Sequence, residues 1–242
     1  MEKSKPITSS KMAEGLDCWE QKIVLMYQMR RFNWIAIVAV VFIHMSCSKS
    51  EKQLPFYNTP DFTPHFLATD QEVNEKITHS IGDFEMRNQH NQVVTQKAIE
   101  GKVHVANFIF TSCGSICPVM TENMKIIDDQ YANDEDVQLM SYTVTPWIDN
   151  VEVLHEYVTA KEITSKNWYF LTGTKGEIYQ LARQSYFAEE DLGFTKDSTE
   201  FLHTEHFILV DQNKKIRGIY NGTLKLEMRQ LVKDIQTLKE EA

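Results

Sequence analysis

The sequence predicts a mixed α/β sheet covered by helices on both faces, and three observations carry that prediction. Strand-like and helix-like segments alternate from Ile81 onward and finish in a hairpin and a helix, a pattern of layered α/β domains. The apolar run Val103 to Phe110 ends in Thr111-Ser112, and a continuous run bounded by turn residues reads as a strand buried on both faces. Cys113 and Cys117 come next, with Pro118 and a helical pattern directly after them. Proline is tolerated in a first helical turn, where its missing N–H has no intrahelical role. The two thiols are therefore expected where a central strand hands over to a helix.

Taken in order, Ile81-Gly82-Asp83-Phe84-Glu85-Met86 and Val93-Val94-Thr95 are short strand-like pieces around the turn-prone Asn88–Asn91, which predicts an N-terminal β-hairpin at the domain entrance. The strand Val103–Phe110 and the cysteine loop follow. Residues 118–131 carry Val119, Met120, Met124, Ile127 and Tyr131 at the spacing of one helix face. Val137–Val144 reads as a strand that ends at Thr145-Pro146, and Val151–Ala160 as a helix. Trp168–Leu171 is a short strand closed by Thr172-Gly173, and residues 176–186 are helical by period. Phe207–Val210 and Ile216–Tyr220 are strands around the turn Gln212–Lys215, and Lys225–Lys239 is the last helix. Cysteines at the C-terminal end of an early strand, heading into a helix, are the layout of a thioredoxin-like fold.

Cysteines four apart lie on one face of a regular helical turn, close enough for a disulfide or for two thiolates to grip one soft metal ion. Free amide N–H groups and the helix dipole at such a junction stabilise a thiolate. The plain alternative is a pair of buried structural cysteines. Flanking Gly, Ser and Pro at a strand–helix junction favour the reactive reading.

Ahead of the domain, residues 34–43, WIAIVAVVFI, form an apolar block without a charge, too short for the roughly 20 residues that span a bilayer. It follows Arg30-Arg31 and precedes Ser46-Cys47, which makes a secretory signal of it. The cysteine after the cleavage point resembles a bacterial lipoprotein signal with Cys47 as the lipid site, although His44 stands where such signals usually carry Leu. A chain starting at Met29 would be a complete signal of ordinary layout, so residues 1–28 read as an upstream extension from a mis-assigned start. An uncleaved anchor helix from near Ile23 is the weaker alternative, because charges interrupt it. The expected organisation is thus a signal region over 1–47 (the signal proper being 29–46), a tether over 48–75 with three prolines, and a domain over 76–242. That last stretch has the size of one ordinary domain.

Removing the signal loses Cys18, and lipid blocks Cys47, so Cys113 and Cys117 are left without any disulfide scaffold around them. The pair is there for chemistry. The formal net charge of −9 shows no basic patch and argues against nucleic acid as a partner.

Eight histidines are candidate third ligands, since imidazole and thiolates together suit copper, and thiolate pairs favour Cu(I) or zinc. His65, His79, His90 and His155 stand in polar or loop-like surroundings and read as solvated; His104 reads as a core histidine. His203 and His206, in FLHTEHFILVD just before a late strand, are the better candidates.

Here a resemblance becomes specific. ANFIFTSCGSICPVMTENM, the TVTP turn, WYFLTG and HTEHFILVDQNKKIRGIYNGT resemble the Sco/SenC family of copper-binding thioredoxin-like proteins, over about Ile81 to Lys239. The resemblance implies that Cys113, Cys117 and His203 bind one copper ion. His203 matches rather than His206 because it stands eight residues ahead of Asp211, as the family's ligand does. Many members carry S-V-D-P where this chain has Thr143-Val144-Thr145-Pro146, so the role of that acidic residue is in doubt here. Family members are also often anchored by a helix, whereas this chain carries a lipoprotein-type signal.

The implied function is a copper metallochaperone outside the cytoplasmic membrane, assisting assembly of the copper centre of cytochrome c oxidase subunit II. The alternative is an enzyme, a thiol–disulfide reductase using Cys113 and Cys117 alone. A peroxide-reducing enzyme is weaker, because no Arg partner is evident.

Overall fold

The computed structural model describes residues 53–188 and 204–241. In chain order these form β1 (Phe56–Tyr57), β2 (Pro64–His65), α1 (Asp70–Lys76), β3 (Glu85–Asn88), β4 (Val93–Thr95), β5 (Val103–Ile109), α2 (Ile116–Tyr131) and β6 (Val137–Thr143). There follow α3 (Val151–Ala160), β7 (Trp168–Thr172), α4 (Lys175–Gln180) with a π-helical continuation Leu181–Ser185, β8 (His206–Val210), β9 (Ile216–Asn221) and α5 (Lys225–Glu240). The described strands make one mixed sheet in the order β2-β1-β9-β8-β5-β6-β7-β3-β4. β5, β6 and β7 are parallel, while β8 lies antiparallel on the other side of β5 and β9 lies antiparallel to β8.

β5 is the centre. All seven of its residues are buried, and Val103↔Val137 to Ile109↔Thr143 pair it with β6 along its whole length. Side chains alternate across a strand. Val103, Val105 and Ile109 thus join one apolar layer with Met120, Met124, Leu154, Leu231 and Ile235 of α2, α3 and α5. Ala106 and Phe108 join the other, with Ile178 and Tyr179 of α4 and Tyr186 beyond its π turn. Helices on both faces are what the sequence predicts.

Three local readings change. The entrance hairpin pairs Glu85↔Thr95 to Arg87↔Val93, but its first strand begins at Glu85 rather than Ile81. Ile81 instead donates its amide to the Lys214 carbonyl in the β8–β9 turn, at 3.0 Å. The helix expected over 176–186 is α for six residues and then widens to a π turn. Within the stretch expected as a tether, β1 pairs with β9 through Tyr57↔Ile216 and α1 carries a Thr69 N-cap. Two-residue strands have no readable period, and a long-range charge holds this segment: Arg217 donates to the carbonyls of Leu54 and Pro55 at 3.0 and 3.2 Å.

His79 is likewise not a solvated histidine. It is half-buried, with Nε2 2.8 Å from the Ser185 carbonyl and its ring stacked on Phe187 at 4.1 Å. Burial holds its pKa below the usual imidazole range. His104 is the core histidine expected: fully buried, its Nε2 lies 3.1 Å from the Tyr186 hydroxyl, and burial pushes its pKa down to about 3.

Candidate metal and dithiol site

The site begins where β5 ends. Cys113 donates its amide to the Phe110 carbonyl at 3.2 Å, closing a tight turn directly after the strand. α2 then starts at Ile116, two residues earlier than its apolar period shows, so Cys117 lies inside the helix and Pro118 in its first turn. The N-cap, Ser115, makes no side-chain hydrogen bond to the helix. First-turn amides of a helix have no intrahelical acceptor. One of them, Cys117 N–H, points at Cys113 Sγ at 3.5 Å, so the thiol occupies the place a capping side chain would take.

The two sulfurs consequently differ. Cys113 is partly exposed, and Cys117 is buried in the apolar layer beneath α2. Burial alone would raise the Cys113 pKa, but hydrogen bonds from the Cys117, Ser115 and Ile116 amides outweigh it and hold the thiol below its ordinary value. Burial pushes the Cys117 thiol up to about 12, reinforced by the neighbouring Cys113 sulfur. Cys113 is thus the more readily ionised thiol of the two. A thiolate is the reactive form, so limited treatment of the reduced protein with iodoacetamide at pH 7.5 is expected to label Cys113 at least about tenfold faster than Cys117. Mass mapping of the labelled peptides reads the ratio; equal labelling would contradict this asymmetry.

Around the pair, Tyr157 of α3 shares a 2.7 Å hydrogen bond with Thr121 of α2, and burial pushes its pKa up to about 12, with both cysteine sulfurs adding to the rise. A buried carboxylate, Asp149, lies under the loop. It accepts from Thr111 N at 3.1 Å and from Thr111 Oγ at 2.5 Å, and also from the hydroxyls of Thr143 and Thr145 at 2.5 and 2.9 Å. The sequence reading passed over Asp149. The only signal was its place before the α3 N-cap Asn150, where an acidic residue looks like ordinary turn chemistry.

Of the expected ligands, Cys113 and Cys117 are brought together; His203 lies outside the described residues. The residues just after it are described. β8 runs antiparallel to β5, with Ala106↔Ile208, so its N-terminal end lies at the edge of the sheet where β5 meets the cysteine loop. Glu205 accepts at 2.7 Å from Gly222 N, and Gly222 O accepts at 2.8 Å from Asn123 of the cysteine-bearing helix. A Cβ at Gly222 would stand 2.5 Å from Phe207 Cε1 and 2.9 Å from Glu205 O, so only glycine allows this approach. His206 turns the other way: Phe207 faces the α2 layer, while the His206 ring stands edge-on to Phe62 on the opposite face. Among the described residues, no three His, Cys, Asp or Glu side chains group as a metal site, so two sulfurs are what the described site offers.

The same edge of the sheet carries most of the large apolar side chains left exposed. Val119 is in the first turn of α2, Trp147 and Ile148 follow β6, and Leu224 and Leu226 open α5. Among the described residues, no helix is long and apolar enough to cross a membrane.

The SCO1/SenC family profile matches residues 72–240. A SCO1/SenC family lipoprotein from Bacillus anthracis has a solved structure 28% identical to this chain, covering 67% of it and 96% of its own length at a TM-score of 0.59. BsSco, described as a member of the Sco family of cytochrome c oxidase assembly proteins and the bearer of a disulfide switch, is 27% identical over 66% of this chain and 93% of its own, with a TM-score of 0.55. Arabidopsis thaliana ScoI, solved with copper bound, is 26% identical over 66% of this chain and 98% of its own, with a TM-score of 0.50. The thioredoxin-like layout expected from the sequence is the fold that is observed.

Proposed function

This chain belongs to the SCO1/SenC family, and we propose that it is a copper-binding metallochaperone of the cell envelope that assists assembly of the copper centre of cytochrome c oxidase. One observation carries the reading: two free cysteines astride the junction of the central strand and α2, with the amide of the helical one directed at the sulfur of the other. Two thiolates are soft ligands that suit Cu(I). We assign Cys113, Cys117 and His203 as the copper ligands. His203 is separated by Thr204 alone from Glu205, whose carbonyl is linked through Gly222 to the cysteine helix. Three ligands hold Cu(I) at low coordination and leave one side open for transfer. The Arabidopsis ScoI bound to copper supports the metal, and the family description of BsSco supports the pathway.

The recipient is a protein rather than a small molecule. Exposed Val119, Trp147, Ile148, Leu224 and Leu226 sit on the edge that presents Cys113, and apolar side chains around a reactive group suit a protein surface. We assign the recipient as subunit II of cytochrome c oxidase. We assign residues 29–46 as a lipoprotein-type signal and Cys47 as the lipid site that keeps the domain at the outer face of the membrane; the lipoprotein description of the Bacillus anthracis relative supports this.

Both thiols must lose their protons to bind metal. With the Cys117 thiol pushed up to about 12, copper binding at neutral pH releases a proton from it, and affinity falls as pH falls. Oxidation to a disulfide removes both sulfur ligands together. That coupling supports a second reading, a thiol–disulfide reductase acting on the cysteines of the same recipient. The contrast between Cys113 and Cys117 is the specific observation favouring it. His203→Ala in cells separates the two. Delivery predicts loss of assembled oxidase on low-copper medium, relieved by added copper. Assembly at the wild-type level under copper limitation would sink delivery and leave the reductase.

A further inference from the structure

We propose that Asp149 is a positioning residue of the dithiol site, fixing the base of the cysteine loop through Thr111; the inference rests on the cysteine assignment above. Asp149 is fully buried, and among the described residues no cation pairs with it. An ionised carboxylate accepts about four hydrogen bonds. Asp149 has that number, from the amide and hydroxyl of Thr111 and the hydroxyls of Thr143 and Thr145. Its own amide donates to the Thr145 carbonyl at 2.8 Å, so the carboxylate is held by the β6 turn on one side and holds the cysteine loop on the other.

Where those contacts fall decides what they do. Thr111 is the second residue after β5 and the second before Cys113. Both of its hydrogen-bonding groups that face inward are taken by Asp149, and Cys113 in turn bonds back to Phe110. The loop from Phe110 to Cys113 is thereby fixed at its base before the chain reaches the sulfur. Without Asp149, the Thr111 amide has no acceptor, and the last tie between the two strand ends is the Val144 amide on the Ile109 carbonyl at 2.8 Å, one residue short of the loop base. The Cys113 sulfur then samples more positions relative to Cys117, and each thiol has a lower effective concentration for the other. Neither Cys113 nor Cys117 bonds to Asp149, so it acts through Thr111.

The test needs no copper. In a glutathione buffer, the protein dithiol reacts with one glutathione disulfide to give the Cys113–Cys117 disulfide and two glutathione thiols; the S–S bond formed in the protein replaces the one broken in glutathione disulfide, and the two cysteine protons end on the two glutathione thiols. Mass mapping of the Cys113–Cys117 peptide of the full chain gives the equilibrium constant. Asp149→Asn, which keeps the shape but loses half of the acceptor capacity, is expected to lower that constant by about tenfold or more, equivalent to about 30 mV for this two-electron couple. Thr111→Val is expected to shift it in the same direction by less. Asn167→Ala removes bonds to the Tyr131 and Asp134 carbonyls at the far end of α2 and serves as the destabilised control. It is expected to stay within about twofold of the wild type, the scatter of independent sites. An unchanged constant in Asp149→Asn overturns the proposal, as does an equal shift in Asn167→Ala. If Asp149→Asn does not fold, an unchanged Thr111→Val overturns it. Failure of the wild type to bind copper would count against the metallochaperone reading and leave this result standing.

Discussion

Serine at both Cys113 and Cys117 is expected to remove copper binding by more than about 100-fold, beyond the 10–100-fold that outer-shell partners of a metal cost. A hydroxyl is harder than a thiol, and it stays protonated at neutral pH. The double change also has a cost in stability, and its size separates the two positions. Cys113 is partly exposed, so serine there is nearly neutral. Cys117 is 4% exposed and packs with Met120, Met124 and Phe207 in one apolar layer. A hydroxyl without a partner there costs about 1–3 kcal/mol. A Cu(I) competition titration, with a thermal melt beside it, reads both effects. Binding retained at the wild-type affinity would mean that the sulfurs are not the ligands.

Arg217→Met is expected to destabilise the fold by about 3–5 kcal/mol, the typical effect of breaking a buried pair from one side. Arg217 is 4% exposed and is the centre of a buried network. Its guanidinium meets Asp211 Oδ2 at 3.1 Å and Glu241 Oε2 at 2.9 Å, donates to the Leu54 and Pro55 carbonyls, and lies 3.9 Å from the Phe56 ring centroid. Methionine fills the volume but leaves the Asp211 carboxylate, itself 3% exposed, without its cation. The loss also frees the segment around β1, so limited proteolysis near residues 53–57 should accelerate before the core melts. Arg217→Lys should recover little, because one ammonium cannot reproduce a planar fork. Chemical denaturation gives the comparison, and a loss below about 1 kcal/mol would show the network to be incidental.

Legibility in the sequence followed the range of the forces involved. β5, α2 and the cysteine loop were readable because a continuous apolar run, a helical period and two thiols are local signals. α3 was readable to the residue, Val151–Ala160, because Asn150 caps it with its own side chain. Asp149 was not, since its meaning lies in three threonines on two other segments and nothing in the local spacing marks it. β1 and β2 were hidden for the same reason: each has two residues, and their anchor is Arg217, which lies 163 positions from Leu54. The solvated reading of His79 failed because its partners are Ser185, the last residue of a π turn that helical periodicity does not reveal, and Phe187 just beyond it. His203 was chosen over His206 by family resemblance. His203 itself lies outside the described residues.

The most direct test is the copper stoichiometry of the reduced protein, measured alongside its oxidised form and His203→Ala. One Cu(I) per chain in the reduced protein, none at Cys113–Cys117 after oxidation, and a strongly weakened site in His203→Ala are what a dithiol–imidazole copper site requires. No copper bound by the reduced wild type, or an affinity untouched by oxidation and by His203→Ala, would contradict it.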